Sequence, residues 1–204
     1  ESINSYYWYI RLRGWEIDYV TFGRRSYGNS YAIPKPLSKY EELSPILCKL
    51  VSKMSARLRR NGYRAKGVHV AVAYRDGGFW HKGVTLEREV FDTRDIYKNA
   101  FKILSRSPYQ KAVRELAVSC FNLMKYSSTQ LEFFEDMLTK EKFVESIDKI
   151  NERWGDFVIT PARMLNAADA VPDRVAFGQP AEDTHQALLA GGVKELEEFI
   201  VLTY

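Results

Sequence analysis

The chain has 204 residues, 46% of them hydrophobic and 27% charged, with a formal net charge of +4; that balance admits one sizeable core and excludes a fibre or a wholly disordered polymer. No apolar run is long enough to span a bilayer and the N-terminus lacks the apolar stretch of a signal peptide, so cytoplasmic residence is expected and a membrane partner is not. The cysteines (Cys48, Cys120) and histidines (His69, His81, His185) are few and scattered, which predicts buried free thiols and no metal centre.

Glu1 in place of methionine suggests a piece of a longer protein. Arg11, Arg13, Arg24, Arg25, Lys35 and Lys39 crowd the first forty residues, whereas acidic residues concentrate after Glu132. This asymmetry predicts a phosphate-facing front half followed by a solvated acidic tail.

Ser26 to Ile33 mixes tyrosines with small residues and meets Pro34 and Pro36, which predicts a strand ending there. Leu43, Ile46, Leu47, Leu50, Val51, Met54 and Leu58 recur at three and four residues, the stripe of a core-packed helix. Ser44-Pro45 could open that helix, as could Ser38 with Glu41 three residues on; Asn61-Gly62 would close it. Val68, Val70, Val72 and Tyr74 alternate with His69, Ala71 and Ala73, a half-buried strand. Asp76-Gly77-Gly78 predicts a hairpin into a strand over Phe79 to Leu86. Asp92 and Thr93 can cap a second helix with the stripe Ile96, Tyr97, Ala100, Phe101, Ile103 and Leu104, and a last strand runs from Val113 to Leu123.

The fold class expected is therefore α+β: a βαββαβ four-stranded sheet with two helices on one face, followed by a helical and irregular tail. The tail carries a helical pattern through Phe143, Val144, Ile147, Ile150 and Trp154, a loop-rich stretch after Ala167, and a short final stripe of Leu196, Phe199 and Ile200.

Two helices cover one face of such a sheet and leave the other open. By alternation Ser26, Gly28 and Ser30 share one face of the first strand, preceded by Arg24 and Arg25; His81, Gly83 and Thr85 share a face of the third, beside Lys82; Ser119 joins from the last. Small residues let a backbone approach, and hydroxyls and amides bond phosphate oxygens without reading bases. A merely solvated sheet face would have similar composition. Downstream, Gln130, Leu131, Phe133 and Phe134 form a short linear motif, an amide with apolar anchors, that could equally pack on its own domain.

Gly23-Arg24-Arg25-Ser26-Tyr27-Gly28-Asn29-Ser30-Tyr31 at the head of βαββαβ, the arginine-rich helix end, Asp92-Thr93 and Leu116-Ala117-Val118-Ser119 resemble the C-terminal little finger domain of bacterial Y-family (translesion) DNA polymerases. QLEFF is similar to the family's β-clamp peptide, with Phe133 in place of a leucine. The resemblance implies the end of the thumb at 1–20, the little finger at 21–126, a linker with the clamp peptide at 127–138, and a tail at 139–204. It implies primer-template duplex DNA and the β sliding clamp as partners, in lesion bypass close to the bacterial nucleoid. It implies DNA contacts at Arg24, Arg25, Ser26, Gly28, Ser30, His81, Lys82, Thr85 and Ser119, and clamp contacts at Gln130, Leu131, Phe133 and Phe134. The catalytic carboxylates and Mg2+ would belong to the parent's palm, so no catalytic residue, metal ligand or cofactor is expected here. Phe121 departs from the small hydroxyl residue usual in the family, and a proline inside the first helix departs too. The alternatives are a free-standing α+β adaptor for RNA, single strands or protein, which needs outward aromatics such as Trp80 or Phe121, and a small enzyme on the same fold.

Overall fold

The computed structural model describes residues 3–15, 25–107, 111–125, 135–167, 170–172 and 200–202. The elements are α1 (Ile3–Leu12), β1 (Ser26–Leu37), α2 (Tyr40–Arg60), β2 (Tyr63–Tyr74), β3 (Phe79–Val90), α3 (Thr93–Leu104), β4 (Val113–Lys125), α4 (Glu135–Trp154), β5 (Ile159–Pro161), a 3-10 turn (Ala162–Ala167) and β6 (Ile200–Leu202). Strands β1 to β4 make an antiparallel sheet in the order β1-β4-β2-β3, with α2 and α3 on one face. This is the α+β arrangement that the periodicities predict.

The core forms where the two periodicities meet. Every residue of the expected α2 stripe is buried, and it packs with Ile96, Ala100, Ile103 and Leu104 of α3 onto Val68, Val70, Val72 and Tyr74 of β2 and Leu116, Val118 and Cys120 of β4. Burial raises the Cys48 thiol to about 11 and the Cys120 thiol to about 12, so neither is a nucleophile at neutral pH. Asp92 caps α3, its carboxylate accepting from the Arg94 N–H at 3.1 Å. The hairpin closes on Gly77 at φ +85°, with the Asp76 carboxylate accepting from the Gly78 N–H at 3.0 Å.

Strands β3 and β4 run past the expected Leu86 and Leu123 to Val90 and Lys125, and two further boundaries differ from expectation at prolines. Strand β1 does not stop at Pro34 but runs to Leu37, with a register shift between Ala32 and Leu37. It lies at the sheet edge, where a residue without an N–H breaks no ladder bond on the free side. Helix α2 starts at Tyr40, with Lys39 as its cap residue, so Pro45 is interior rather than a first-turn residue and does not shorten the helix. It forfeits one backbone bond in the second turn, and the buried Leu43, Ile46 and Leu47 around it hold the helix on the sheet.

The tail does not stand free. Helix α4 lies against the arginine-rich end of α2 and the start of α3, mainly through charges. Arg59 grips Asp148 with Nε and Nη2, at 2.6 and 2.7 Å, and donates from Nη1 to the Phe91 carbonyl at 2.9 Å. Arg60 meets Glu152 at 3.2 Å, buried Arg64 pairs with Glu141, and Lys140 pairs with Asp92 and Asp95. Of the apolar stripe foreseen for this helix only Val144 is buried, whereas Phe143, Ile150 and Trp154 are exposed. Beyond it, Met164, Ala167 and Val171 pack onto α2, where Lys53 donates to the Val171 carbonyl at 2.6 Å. The short parallel pair β5-β6 was not foreseen: a three-residue strand carries too few positions to show a period of two.

Candidate nucleic-acid interface

The sheet face away from α2 and α3 is a grid fixed by strand register. Read across β1, β4, β2 and β3, its rows are Ser26, Phe121, Gly67, Thr85; then Gly28, Ser119, His69, Gly83; then Ser30, Ala117, Ala71, His81; then Ala32, Glu115, Ala73, Phe79. The residues on the two edge strands are exposed, and those on the inner strands are half-buried, except Gly67, which is buried.

The alternation thus brings together Ser26, Gly28, Ser30, His81, Thr85 and Ser119, the hydroxyls and glycines named from the sequence. It does not bring Lys82 with them: Lys82 lies opposite Val70, on the helix side of edge strand β3, because a strand turns successive residues to opposite faces. Arg25 stands exposed just ahead of β1. Arg24, Gln130, Leu131, Phe133 and Phe134 lie outside the described residues.

None of the sixteen grid positions is lysine or arginine, and Glu115 supplies an acid. The face is polar, small and backbone-rich rather than cationic, which corrects the expectation of a basic surface. Other positive charge of the domain is engaged within the fold, at Arg59, Arg60 and Arg64 against α4. The acidic tail is therefore not simply solvated; it neutralises the α2 end.

Close approach is built in by glycine. A Cβ on Gly28 would stand 3.2 Å from the Ser119 Cβ, and one on Gly67 would stand 2.5 Å from the Phe121 ring. Phe121 therefore faces the open side and lies folded over Gly67 and towards Gly83, which settles its orientation. Trp80 pairs with Val72 and packs on the core side.

His69 and His81 meet on the β2–β3 side of the grid. His69 Nε2 and His81 Nδ1 are 3.1 Å apart in one imidazole–imidazole hydrogen bond, with ring centroids at 5.2 Å. Partial burial first, and the neighbouring His81 second, hold His69 below its ordinary 6.5. The sequence shows both histidines at the strand parity of the face, but their separation by twelve positions hides their pairing until the hairpin register is known.

Among the described residues no three His, Cys, Asp or Glu side chains are grouped to hold a metal ion, and no helix is long and apolar enough to cross a membrane.

Residues 24–133 match the family model described as the impB/mucB/samB family C-terminal domain. DNA polymerase IV 2 of Bacillus subtilis (strain 168) is 28% identical over 160 residues, covering 76% of this chain and 38% of that protein. DNA polymerase IV of Pelotomaculum thermopropionicum is 24% identical over 151 residues, covering 74% of this chain and 38% of that protein. The chain thus spans less than two fifths of the length of these relatives. A solved complex of β-clamp processivity factor and the little finger domain of PolIV matches 53% of this chain and 97% of that domain, at 14% identity and a TM-score of 0.42. Because the family match takes in more than half of its residues, the chain belongs to the impB/mucB/samB family and carries the C-terminal domain of Y-family DNA polymerases.

Proposed function

We propose that this domain holds the backbone of primer-template duplex DNA for a translesion polymerase and that Gln130 to Phe134 tether the same chain to a β sliding clamp, in the bacterial cytoplasm at the nucleoid. The observation that carries the DNA reading is the open grid of glycine, hydroxyl and small side chains. Such a face lets backbone phosphates come near hydroxyls on several strands and the unpaired main-chain amides of the edge strands β1 and β3, and it offers little that distinguishes one base from another. Two-metal nucleotidyl transfer would be the work of the parent's palm, with Mg2+ bound there.

Because the grid lacks fixed cations, the electrostatic part of binding falls to its borders, where Arg25 stands just ahead of β1, Lys35 lies near the end of β1 and Arg57 donates to the Gly28 carbonyl at 2.9 Å. A duplex titration across salt concentrations should give a linear fall of log affinity with log salt, and R25A should flatten the slope by about 0.9 if it removes one phosphate contact. Duplex binding that ignored salt would contradict this reading.

The adaptor alternative needs stacking platforms. Phe79 is 63% exposed on the grid, but Phe121 lies down on glycine and Trp80 faces the core, so one free ring remains for a single strand. Duplex should therefore be preferred over single strand.

The clamp reading is tested separately. Replacing Gln130, Leu131, Phe133 and Phe134 by alanine should weaken binding to purified β clamp by at least about tenfold, through loss of the anchors that fill a cleft. Undiminished clamp binding by that variant moves the tether elsewhere.

A further inference from the structure

We propose that the His69–His81 pair is a proton-linked phosphate site on the β2–β3 side of the sheet face, so that the domain takes up a proton when it binds duplex DNA. This rests on the DNA-backbone reading above. With one ring nitrogen of each committed to the 3.1 Å bond, the pair keeps one outer nitrogen per ring for a ligand. Gly83 and Ser119 flank His69 and Ala71 flanks His81, all too short to reach over the rings, while the Phe79 ring lies tilted beside His81 with centroids at 5.5 Å and borders the site on one side. A phosphate diester laid on this face meets the imidazoles before any other ionisable group.

The charges around the pair set the sign. On the open face β1 offers no ionisable group from Ser26 to Ala32, β2 none other than His69 from Gly67 to Ala73, and β3 none other than His81 from Phe79 to Thr85. Strand β4 offers Glu115, which lies two rows from His69, and Lys82 faces the helix side. In the free domain His69 is held below 6.5, so its neutral form belongs to the fold; the stability linked to it is present above 6.5 and is lost as pH falls through the lowered value. A phosphate reverses this preference, because two opposite charges in contact on a face without lysine or arginine favour the imidazolium. Protonation then supplies the cation that the grid lacks, with both outer N–H groups donating to phosphate oxygens.

The test uses the whole 204-residue chain and a short duplex of random sequence at fixed, low ionic strength, titrated from pH 8 to pH 6. Affinity should rise on acidification by about three- to tenfold per pH unit once the pair begins to charge, the upper figure being uptake of one full proton. Calorimetry in two buffers of different ionisation enthalpy should count an uptake approaching one. H81Q, at an exposed edge-strand position, and H69Q with H81Q should both flatten the pH profile and abolish the uptake. Inorganic phosphate added as competitor should not reproduce the effect at matched ionic strength, because it lacks the neighbouring backbone contacts. Duplex binding with a flat pH profile, or a profile that survives H69Q with H81Q, overturns the inference and leaves the DNA reading standing. Absence of duplex binding at every pH sinks both.

Discussion

Glutamates placed at Ala117 and Ser119 should weaken duplex binding about 100-fold, a cost of about 2–3 kcal/mol, while the domain stays folded. Both residues lie on inner strand β4, Ala117 between Ser30 and Ala71 and Ser119 between Gly28 and His69, and their side chains project from the open face. The substitution leaves Val113, Leu116, Val118 and Cys120, which carry β4's share of the core, untouched. The remaining penalty is the lower fitness of glutamate for a strand, within a scale that spans about 1 kcal/mol. Two carboxylates in adjacent rows would face backbone phosphates at contact range with no lysine or arginine on the grid to offset them. A117N with S119N tests bulk without charge and should lose much less. Equilibrium binding by anisotropy with an unfolding curve for each variant decides it; a folded A117E/S119E protein that bound duplex at full strength would place the DNA elsewhere.

Arg59→Ala should release α4 from the domain and lower its docking stability by about 2–4 kcal/mol, the range expected when one partner of an enclosed ion pair is removed. Arg59 and Asp148 keep only 14% and 24% of their side-chain surface, and the guanidinium also bonds the Phe91 carbonyl and, at 3.3 Å, Thr93 Oγ1. Truncation strands Asp148 without its partner and leaves a backbone carbonyl without a donor. Asp148→Asn keeps the shape and some hydrogen bonding, so it should cost less. Amide exchange along α4 is the direct readout, with urea unfolding beside it; unchanged protection of Val144 to Asn151 in R59A would show that α4 is held by other means. Because β4 ends at Lys125 and α4 begins at Glu135, α4 docking anchors the chain on both sides of the proposed clamp peptide. High salt should loosen the same helix, since Arg60, Lys140 and their partners are partly exposed and screened.

The fold was legible because its two periodicities are clean. Seven apolar residues at helical spacing in α2 and four at alternate positions in β2 have one common solution, a helix layer on a sheet, and all eleven are buried. The open face followed from the same alternation, which is why Ser26, Gly28, Ser30, His81, Thr85 and Ser119 converge. Lys82 was grouped with them by nearness in sequence, and nearness along a strand means the opposite face. The β1 prolines mislead because the effect of a missing N–H depends on whether it had a partner, which depends on strand order, and Pro45 misleads because the packing of Leu43, Ile46 and Leu47 outweighs one lost helix bond.

Charge was the least legible property. Composition places cations early in the chain and acids late, but it does not show that Arg59, Arg60 and Arg64 meet Asp148, Glu152 and Glu141 far along the chain. That pairing removes part of the basic surface from DNA and gives it to the tail. Likewise the contact of His69 with His81 depends on hairpin register, and the sheltering of Gly67 beneath Phe121 depends on the register of β2 with β4. These are long-range consequences of pairing, outside the reach of a local pattern.

The most direct test is an amide-resolved NMR titration of the chain with a short random-sequence duplex. The shifts should concentrate on Ser26 to Ser30, Gly67 to Ala71, His81 to Thr85 and Ala117 to Phe121, with α2 and α3 little changed. Shifts gathered on the outer surfaces of α2, α3 or α4, with the sheet face silent, would contradict the account.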